Sequence, residues 1–353
     1  MALHRESIPA EVLTRLRQGV VIPAHPLALT ETRQLDLRHQ RALTRYYLDA
    51  GAGGLAVGVH TTQFEIRHVG LYEPVLRLAA ETAASWTDQP IIMIAGLVGS
   101  TEQALAEADV ALGLNYHAGL LSLGAHKGAD EDALISHCQA VAARIPLFGF
   151  YLQPAVGGIV LSAEFWCRFA AIDNVIAIKV APFNRYRTLD VVRGVVAANA
   201  EDRISLYTGN DDHILLDLVT PFAVRRDGEE VVLRFRGGLL GHWCVWVKPA
   251  VEYLARAHGA IAAGTVDTAL LQLDSQITDA NGALFDVVNN FAGVIAGCHE
   301  VLRRQGLLQG TWCLNPDEVM SSSQEAELDR VIANYPHLCD DDFVAANIQR
   351  WLD

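Results

Sequence analysis

Short apolar runs alternate with amphipathic stretches over the first 240 residues of the chain. The runs are continuously apolar, which is typical of parallel strands that are buried on both faces. Eight strands in strict alternation with helices predict an α/β protein with a closed (β/α)₈ TIM barrel rather than an open sheet. The predicted strands are Gly19–Ala24, Gly54–Val59, Pro90–Gly96, Ala118–Leu123, Pro146–Tyr151, Val175–Val180, Ile204–Gly209 and Thr220–Val224.

Amphipathic helices are predicted between the strands, for example Leu35–Ala50 and Ser162–Ala171. After the eighth run, an Asp-Gly pair flanked by alternating apolar and charged residues indicates an inserted hairpin near residues 225–236. Residues 1–242 would thus form the barrel and residues 243–353 a C-terminal helical region. The helices predicted in that region are Val245–His258, Gly282–Gln305, Ser323–Asn334 and Asp341–Leu352.

Composition narrows the class of protein. Hydrophobic residues make up 51% of the chain and charged residues 19%, so a large core can be buried. The longest apolar runs have strand length, well short of the ~18 residues that cross a bilayer. The N-terminal segment begins a helix at Ser7-Ile-Pro and lacks the features of a signal peptide. We therefore expect a cytoplasmic protein with no membrane association.

Charge and cysteine spacing exclude further classes. The formal net charge is −14, which argues against nucleic acid or an anionic membrane as partner. The six cysteines are scattered and form no Cys-x-x-Cys pair, so reduced core thiols are favoured over disulfides or zinc. Gly51-Ala-Gly-Gly precedes a strand, whereas a dinucleotide fingerprint follows one. We predict no cofactor and no metal.

Lysine usage points to chemistry. Only three of the 27 basic residues are lysines, namely Lys127, Lys179 and Lys248. Lysine, unlike arginine, can lose its proton and attack a carbonyl carbon. Lys179 lies within the predicted strand Val175–Val180, where burial would lower the pKa of its amine. From position alone, a lysine whose ammonium group reaches solvent or a carboxylate is an equal alternative.

Further polar residues follow the predicted strands at their carboxyl ends, the face on which barrel active sites are built. Three of them have an ordinary structural alternative: helix capping for the two threonines and packing at the barrel mouth for the tyrosine. Their occurrence after several separate strands favours one shared site. The candidates are Thr61, Thr62, His126, Tyr151, Asn210 and Asp211.

These residues resemble the dihydrodipicolinate synthase / N-acetylneuraminate lyase family of class I aldolases over about residues 19–260. The resemblance rests on Tyr151-Leu-Gln-Pro, on Val-Ile-Ala-Ile-Lys179 at the family's spacing, on Ala50-Gly-Ala-Gly-Gly-Leu and on Thr208-Gly-Asn-Asp-Asp. It implies that Lys179 forms the Schiff base and that Tyr151 relays protons. It also implies that Thr61 and Thr62 bind the substrate carboxylate, that Asp211 and Asp212 face the variable part of the substrate, and that the protein is a homo-oligomer, dimer or tetramer.

The chain departs from the family pattern around the expected site. His60-Thr-Thr-Gln-Phe stands where the family has Gly-x-Thr-Gly-Glu, and Pro154-Ala-Val-Gly-Gly lacks the arginine of dihydrodipicolinate synthases. His126, in Gly124-Ala-His-Lys, takes the place of a tyrosine-rich turn, so an imidazole would contact the substrate there. These departures predict a divergent member with an intact core and altered specificity.

The leading hypothesis is an aldolase-type lyase that acts on a 2-oxo acid, such as pyruvate or a 2-keto-3-deoxy sugar acid. A dehydratase or hydratase that uses the same imine is an alternative. A metal-dependent barrel enzyme with ligands among His25, His60, His117 and His126 is a weaker one. The last alternative is a barrel protein that binds a ligand and catalyses no reaction.

Overall fold

A computed structural model describes residues 2–353. The barrel strands are β1 (Val21–Pro23), β2 (Gly54–Val57), β3 (Ile92–Leu97), β4 (Ala118–Leu121), β5 (Leu147–Leu152), β6 (Val175–Ala181), β7 (Ser205–Thr208) and β10 (Phe235–Leu240), while β8 (Phe222–Arg226) and β9 (Glu229–Leu233) lie outside the barrel. The eight barrel strands are parallel in the order β1-β10-β7-β6-β5-β4-β3-β2, and a bridge between Ala24 and Ala56 closes the ring. The predicted (β/α)₈ barrel is confirmed.

The prediction for the eighth barrel strand, Thr220–Val224, is wrong. Residues of that segment belong to β8, which pairs antiparallel with β9, so the hairpin spans 222–233 rather than 225–236. Asp227 and Gly228 connect the two strands with φ of 54° and 87°, as in a tight hairpin turn. Alternate residues of β8 are exposed, whereas β10 is buried except for Arg236. The eighth strand of the barrel is therefore β10, which lies between β1 and β7.

Helices surround the barrel and continue beyond it. Within residues 2–353, no helix is long and apolar enough to cross a membrane. The helices are α1 (Ala10–Gln18), α2 (Leu37–Ala50), α3 (Tyr72–Trp86), α4 (Thr101–Gly113), α5 (Glu131–Ala142), α6 (Ala163–Ala170), α7 (Arg185–Ala197), α8 (Ile214–Val219), α9 (Val247–Ala263), α10 (Thr268–Leu284), α11 (Val294–Arg304), α12 (Gln324–Asn334) and α13 (Asp341–Leu352).

The C-terminal helices pack directly on the barrel. The Asp274 carboxylate of α10 accepts hydrogen bonds from the first backbone N–H groups of α8, and α13 packs along α2. The predicted helix Gly282–Gln305 is wrong, because α10 ends at Leu284 and α11 begins at Val294. The intervening turn, residues 285–293, contains Asp286, Asn290 and Phe291 at positive φ.

Strand register decides which side chains face the barrel interior. Neighbouring residues of a strand point to opposite faces, so on β5 Phe148 and Phe150 belong to the interior cluster and Tyr151 to the layer between barrel and helices. The pairing of β5 with β6 shifts by one residue between Leu147 and Phe148. Beyond this irregularity Phe150 lies opposite Lys179.

Candidate active site

The carboxyl ends of the barrel strands enclose a small cavity of about 70 Å³. Its polar lining consists of His60, Thr61, Gln153, Lys179 and Asp211, and the rest is apolar or glycine. Of the residues predicted for the site, the structure thus brings Thr61, Lys179 and Asp211 together. A wider groove of about 430 Å³ lies at the opposite end of the barrel and contains none of them.

Lys179 lies on β6 and is only 9% exposed. Its Nζ atom lies 4.6 Å from the centroid of the Phe150 ring. Gly209 packs against the lysine stem so closely that a Cβ there would lie 2.8 Å from Cε. Burial lowers the pKa of the Lys179 amine, and the charge of Asp211 opposes this effect. The amine therefore loses its proton more readily than a surface lysine and can act as a nucleophile near neutral pH.

Asp211 contributes a carboxyl group to the same cavity. Its Oδ1 atom accepts a hydrogen bond of 3.1 Å from the backbone N–H of His242. Its carbonyl oxygen accepts one of 2.7 Å from the Asn281 side chain, so α10 holds the loop in place. Burial raises the pKa of Asp211, while the His242 N–H group and the charge of Lys179 oppose the rise. The acid and the amine are thus both displaced toward neutrality, as is common at functional sites.

His60 lies on a single 3-10 turn after β2 and was not among the predicted site residues. Desolvation in the cavity lowers the pKa of its imidazole to about 4, and the charge of Lys179 acts in the same direction. The ring is therefore neutral at neutral pH. An uncharged imidazole beside the amine can accept a hydrogen bond without repelling a cationic intermediate.

The two predicted threonines hold the loop between β1 and β2. Thr61 donates its hydroxyl proton to the carbonyl of Ala24 at 2.7 Å. Thr62 donates to the carbonyl of His25 at 2.6 Å, accepts from two backbone N–H groups, and lies outside the cavity lining. Because both protons are used internally, neither hydroxyl donates to a substrate carboxylate in this conformation.

Tyr151 is buried but does not reach the cavity. Its hydroxyl donates to the carbonyl of Leu161 and accepts from the N–H of the same residue, both at 3.2 Å. Its ring packs 5.2 Å from that of Trp166 on α6. The proton relay predicted for Tyr151 has no support from this placement, because the phenol lies on the outer face of β5 and Phe150 occupies the inner face.

The remaining predicted residues also lie outside the cavity lining. The Asn210 side chain bridges the Phe183 N–H group and the Asp217 carboxylate, which makes it a loop-organising residue. Asp212 is half-buried and burial raises the pKa of its carboxyl group. His126 bonds to the carbonyl of Gly99 and lies against His137. Direct contact of these side chains with the substrate is therefore not supported.

An aromatic wall that the sequence analysis missed covers the cavity. Phe183 follows β6, and the C-terminal region contributes Phe285, Phe291 and Val294. The rings of Phe183 and Phe291 meet edge to face at 6.0 Å. Both residues have positive φ, 48° and 66°, a conformation that costs ~1–3 kcal/mol for a bulky side chain. The strained backbone holds two rings over the lysine.

Only part of the cavity lining had a signal in the sequence. Phe150 precedes Tyr151, and neighbouring side chains of a strand point to opposite faces, so only one of the two can face the barrel interior. Gly209, in Thr-Gly-Asn, marks a close approach. Phe285 and Phe291, by contrast, fall in a segment whose apolar pattern predicts a continuous helix, so nothing local indicated a turn over the barrel mouth.

The histidines weighed as metal ligands are distributed over separate places. His25 bonds to Thr44 and to the carbonyl of Pro26 in the core, and His117 accepts from the Met93 N–H group at the opposite end of the barrel. Across residues 2–353, no three His, Cys, Asp or Glu side chains are grouped as metal ligands would be.

Solved structures share this fold over most of the chain. The chloride-inhibited dihydrodipicolinate synthase from Acinetobacter baumannii, complexed with pyruvate, superposes with a TM-score of 0.74 at 19% identity, over 90% of this chain and 99% of that one. CdNal from Clostridium difficile, in complex with mannosamine, gives 0.71 at 14% identity, over 90% and 99%. Because the overlap reaches nine tenths of the chain, it extends well into the C-terminal helices.

Sequence comparison gives the family. A 4-hydroxy-tetrahydrodipicolinate synthase from Desulforudis audaxviator (strain MP104C) is 26% identical over 204 residues, which is 56% of this chain. The match spans 65% of that relative's length, slightly less than two thirds. The model of the dihydrodipicolinate synthetase family matches residues 18–220, more than half of the chain. The chain therefore belongs to the dihydrodipicolinate synthetase family.

Proposed function

We propose that the protein is a Schiff-base-forming lyase of the aldolase type that acts on a 2-oxo acid through Lys179. The observation that carries the proposal is a nearly buried lysine, with a lowered amine pKa, in a small cavity at the carboxyl end of the barrel. A buried lysine without a close ion-pair partner is rare in structural roles. Family membership adds independent support, since the relatives named above include a 4-hydroxy-tetrahydrodipicolinate synthase and a dihydrodipicolinate synthase complexed with pyruvate.

In the proposed reaction, the neutral Lys179 amine attacks the C2 carbon of the oxo acid and forms a carbinolamine. Loss of water, with one proton transferred to the departing hydroxyl, leaves a cationic imine. When the C3–C4 bond of an aldol substrate breaks, its electron pair moves into the imine nitrogen and forms an enamine. Protonation at C3 and hydrolysis then release the shorter 2-oxo acid and free the amine. Condensation is the reverse sequence.

The apolar lining favours a pyruvate-like 2-oxo acid over a polyhydroxylated sugar acid. Each buried hydroxyl of a sugar acid requires a hydrogen-bond partner, and an unmet one costs ~1–3 kcal/mol. The aromatic wall offers none, and the Thr61 proton is already donated to Ala24, so that His60, Gln153 and Asp211 are the side chains beside Lys179 that could bond a hydroxyl. The relative from Acinetobacter baumannii was solved with pyruvate, which makes pyruvate the first compound to test.

Borohydride trapping tests the proposal. Incubation with pyruvate and borohydride, followed by intact-protein mass spectrometry, should add one reduced adduct per chain, and peptide mapping should place it on Lys179. Lys179→Ala should abolish the adduct, whereas exposed Lys127→Ala should leave it unchanged. If neither pyruvate nor longer 2-oxo acids add mass to the wild type, the imine chemistry is refuted and a non-catalytic binding barrel is favoured. Analysis of the products with aldol and dehydration substrates separates lyase from hydro-lyase activity.

We also propose that the protein is cytoplasmic. All six cysteines are free, as is usual in a reducing cytoplasm.

We further propose that the protein forms a homo-oligomer, dimer or tetramer. Apolar side chains exposed near the barrel mouth, such as Tyr186 at 82% and Val288 at 78%, support this assembly. Sedimentation analysis of the protein at several concentrations would contradict it by giving a monomer of 38.4 kDa throughout.

A further inference from the structure

The Lys179 cavity contains one carboxyl group, and within the described residues 2–353 no tyrosine lines it. Imine chemistry requires a group that takes a proton from one substrate atom and returns it to another. We propose that Asp211 is the catalytic acid and base of the site and performs the proton transfers that the family resemblance assigns to Tyr151. This inference rests on the function proposed above.

The position of Asp211 suits that role. The carboxyl group follows β7, the strand that pairs with β6 on the side opposite β5, so it lies across the lysine from Phe150. The His242 N–H group holds Oδ1 at 3.1 Å. Among residues 2–353, Oδ1 is the Asp211 carboxyl oxygen that forms a hydrogen bond, and Oδ2 forms none. One oxygen is therefore anchored and the other is free for substrate.

The surroundings of Asp211 shift the pKa of its carboxyl group in opposite directions. Burial and the adjacent Asp212 raise the pKa of its carboxyl group, and Lys179 and the His242 N–H group lower it. Cys298 on α11 is near enough for the two groups to interact electrostatically. The net displacement is upward, toward neutral pH, where a general acid and base is most effective.

Two other groups are candidates for the proton transfers: the position of Tyr151 argues against the first, and the lowered imidazole pKa of His60 argues against the second. The Tyr151 hydroxyl is engaged twice by Leu161 on the far side of β5. His60 lines the cavity, but desolvation lowers the pKa of its imidazole to about 4, so its protonated form is scarce at neutral pH and a proton taken up there is poorly held. Asp211 can both accept and retain the proton.

The proton steps balance as follows. In cleavage, the Asp211 carboxylate takes the hydroxyl proton at C4 as the C3–C4 bond breaks, and the released fragment leaves as an aldehyde. The protonated Asp211 then gives this proton to C3 of the enamine, which restores the cationic imine and the carboxylate. With pyruvate alone, the same carboxylate removes a C3 proton from the imine and exchanges that proton for one from solvent. It then delivers the solvent-derived proton to C3 of the enamine, so the methyl protons exchange with solvent.

Solvent exchange separates this role from imine formation. The wild-type protein is incubated with pyruvate in D₂O, methyl exchange is followed by NMR, and the imine is trapped in parallel with borohydride. We expect Asp211→Asn to trap the imine yet to exchange the methyl protons at least ~100-fold more slowly, the usual contribution of a general base. Asp88→Asn is the matched control, since that carboxylate is exposed and lies outside the cavity lining, and should exchange at the wild-type rate.

A pH profile adds a readout that a purely structural role would not move. The Asp211 charge raises the pKa of Lys179, so its loss lowers that pKa further. Trapping in Asp211→Asn should therefore begin at lower pH than in the wild type, and in Asp88→Asn it should not shift.

Exchange at the wild-type rate in folded Asp211→Asn, or loss of exchange in His60→Gln alone, would overturn the assignment. Absence of any adduct on the wild type would instead refute the proposed function, and this assignment with it. The mass of the wild-type protein after borohydride trapping therefore distinguishes the two failures, because an adduct is present in the first and absent in the second.

Discussion

Strands β5 and β6 lie side by side, yet they present their candidate catalytic residues to opposite sides of the barrel wall. Lys179 of β6 points into the cavity, while Tyr151 of β5 points into the helix layer. The reason is the register shift between Leu147 and Phe148. Without it Tyr151 would lie opposite Lys179, and with it Phe150 does. A one-residue irregularity therefore decides whether a phenol or a phenyl ring faces the amine.

The inner and outer faces of the barrel wall should consequently respond differently to substitution. Changes on the inner face alter the chemistry of Lys179, and changes on the outer face alter packing. Substitutions at positions 209, 150 and 151 test this contrast, in order of falling effect on imine formation.

Gly209→Ala should have the largest effect. The new Cβ would lie 2.8 Å from Lys179 Cε and 2.7 Å from Ala181 Cβ, so the lysine must move. A displacement of about 1 Å at a reacting group can reduce the rate ~100-fold, and borohydride trapping should show a loss of this size. The matched control is Gly259→Ala in helix α9, where a Cβ meets no atom within 4 Å. Wild-type trapping by Gly209→Ala would show that the lysine is not held as described.

Phe150→Leu should shift the pH dependence moderately. The ring face lies 4.6 Å from Nζ and stabilises the ammonium form by about 0.5–1 kcal/mol at partly exposed sites, more when desolvated. Removing the ring while keeping an apolar side chain should lower the pKa of Lys179 by about half a unit. More amine is then free at a given pH, so the trapping curve should move to lower pH. A shift to higher pH would contradict a cation–π contact.

Tyr151→Phe should have the smallest effect on activity. We expect imine formation and methyl exchange within about twofold of wild type, because the hydroxyl lies outside the cavity. Stability should fall by about 1–3 kcal/mol in urea unfolding, since the N–H and C=O groups of Leu161 lose their partner. A loss of exchange by two orders of magnitude would instead return the proton relay to Tyr151 and show that β5 changes register when substrate binds.

Much of this outcome could be predicted from the sequence because it depends on local patterns. Continuous apolar runs identify parallel strands that are buried on both faces, and they located seven of the eight barrel strands. The scarcity of lysine, together with the position of Lys179 inside such a run, indicated the lysine that the structure places in the cavity. The eighth strand was missed because residues 222–224 of β8 and the strand β10 are both short and largely apolar, and only pairing partners distinguish a hairpin strand from a barrel strand.

What only the tertiary structure decided is the direction in which each side chain points and which distant segment completes the cavity. The sequence indicated the barrel through the periodicity of its apolar runs and the candidate lysine through residue chemistry, and its motifs indicated the family by resemblance. It could not determine the register of β5 against β6, since a single irregularity reverses the inward and outward faces. Nor could it place Phe285 and Phe291 over Lys179, more than 100 residues away in the chain, because long-range packing holds the strained turn at 285–293 against its local preference.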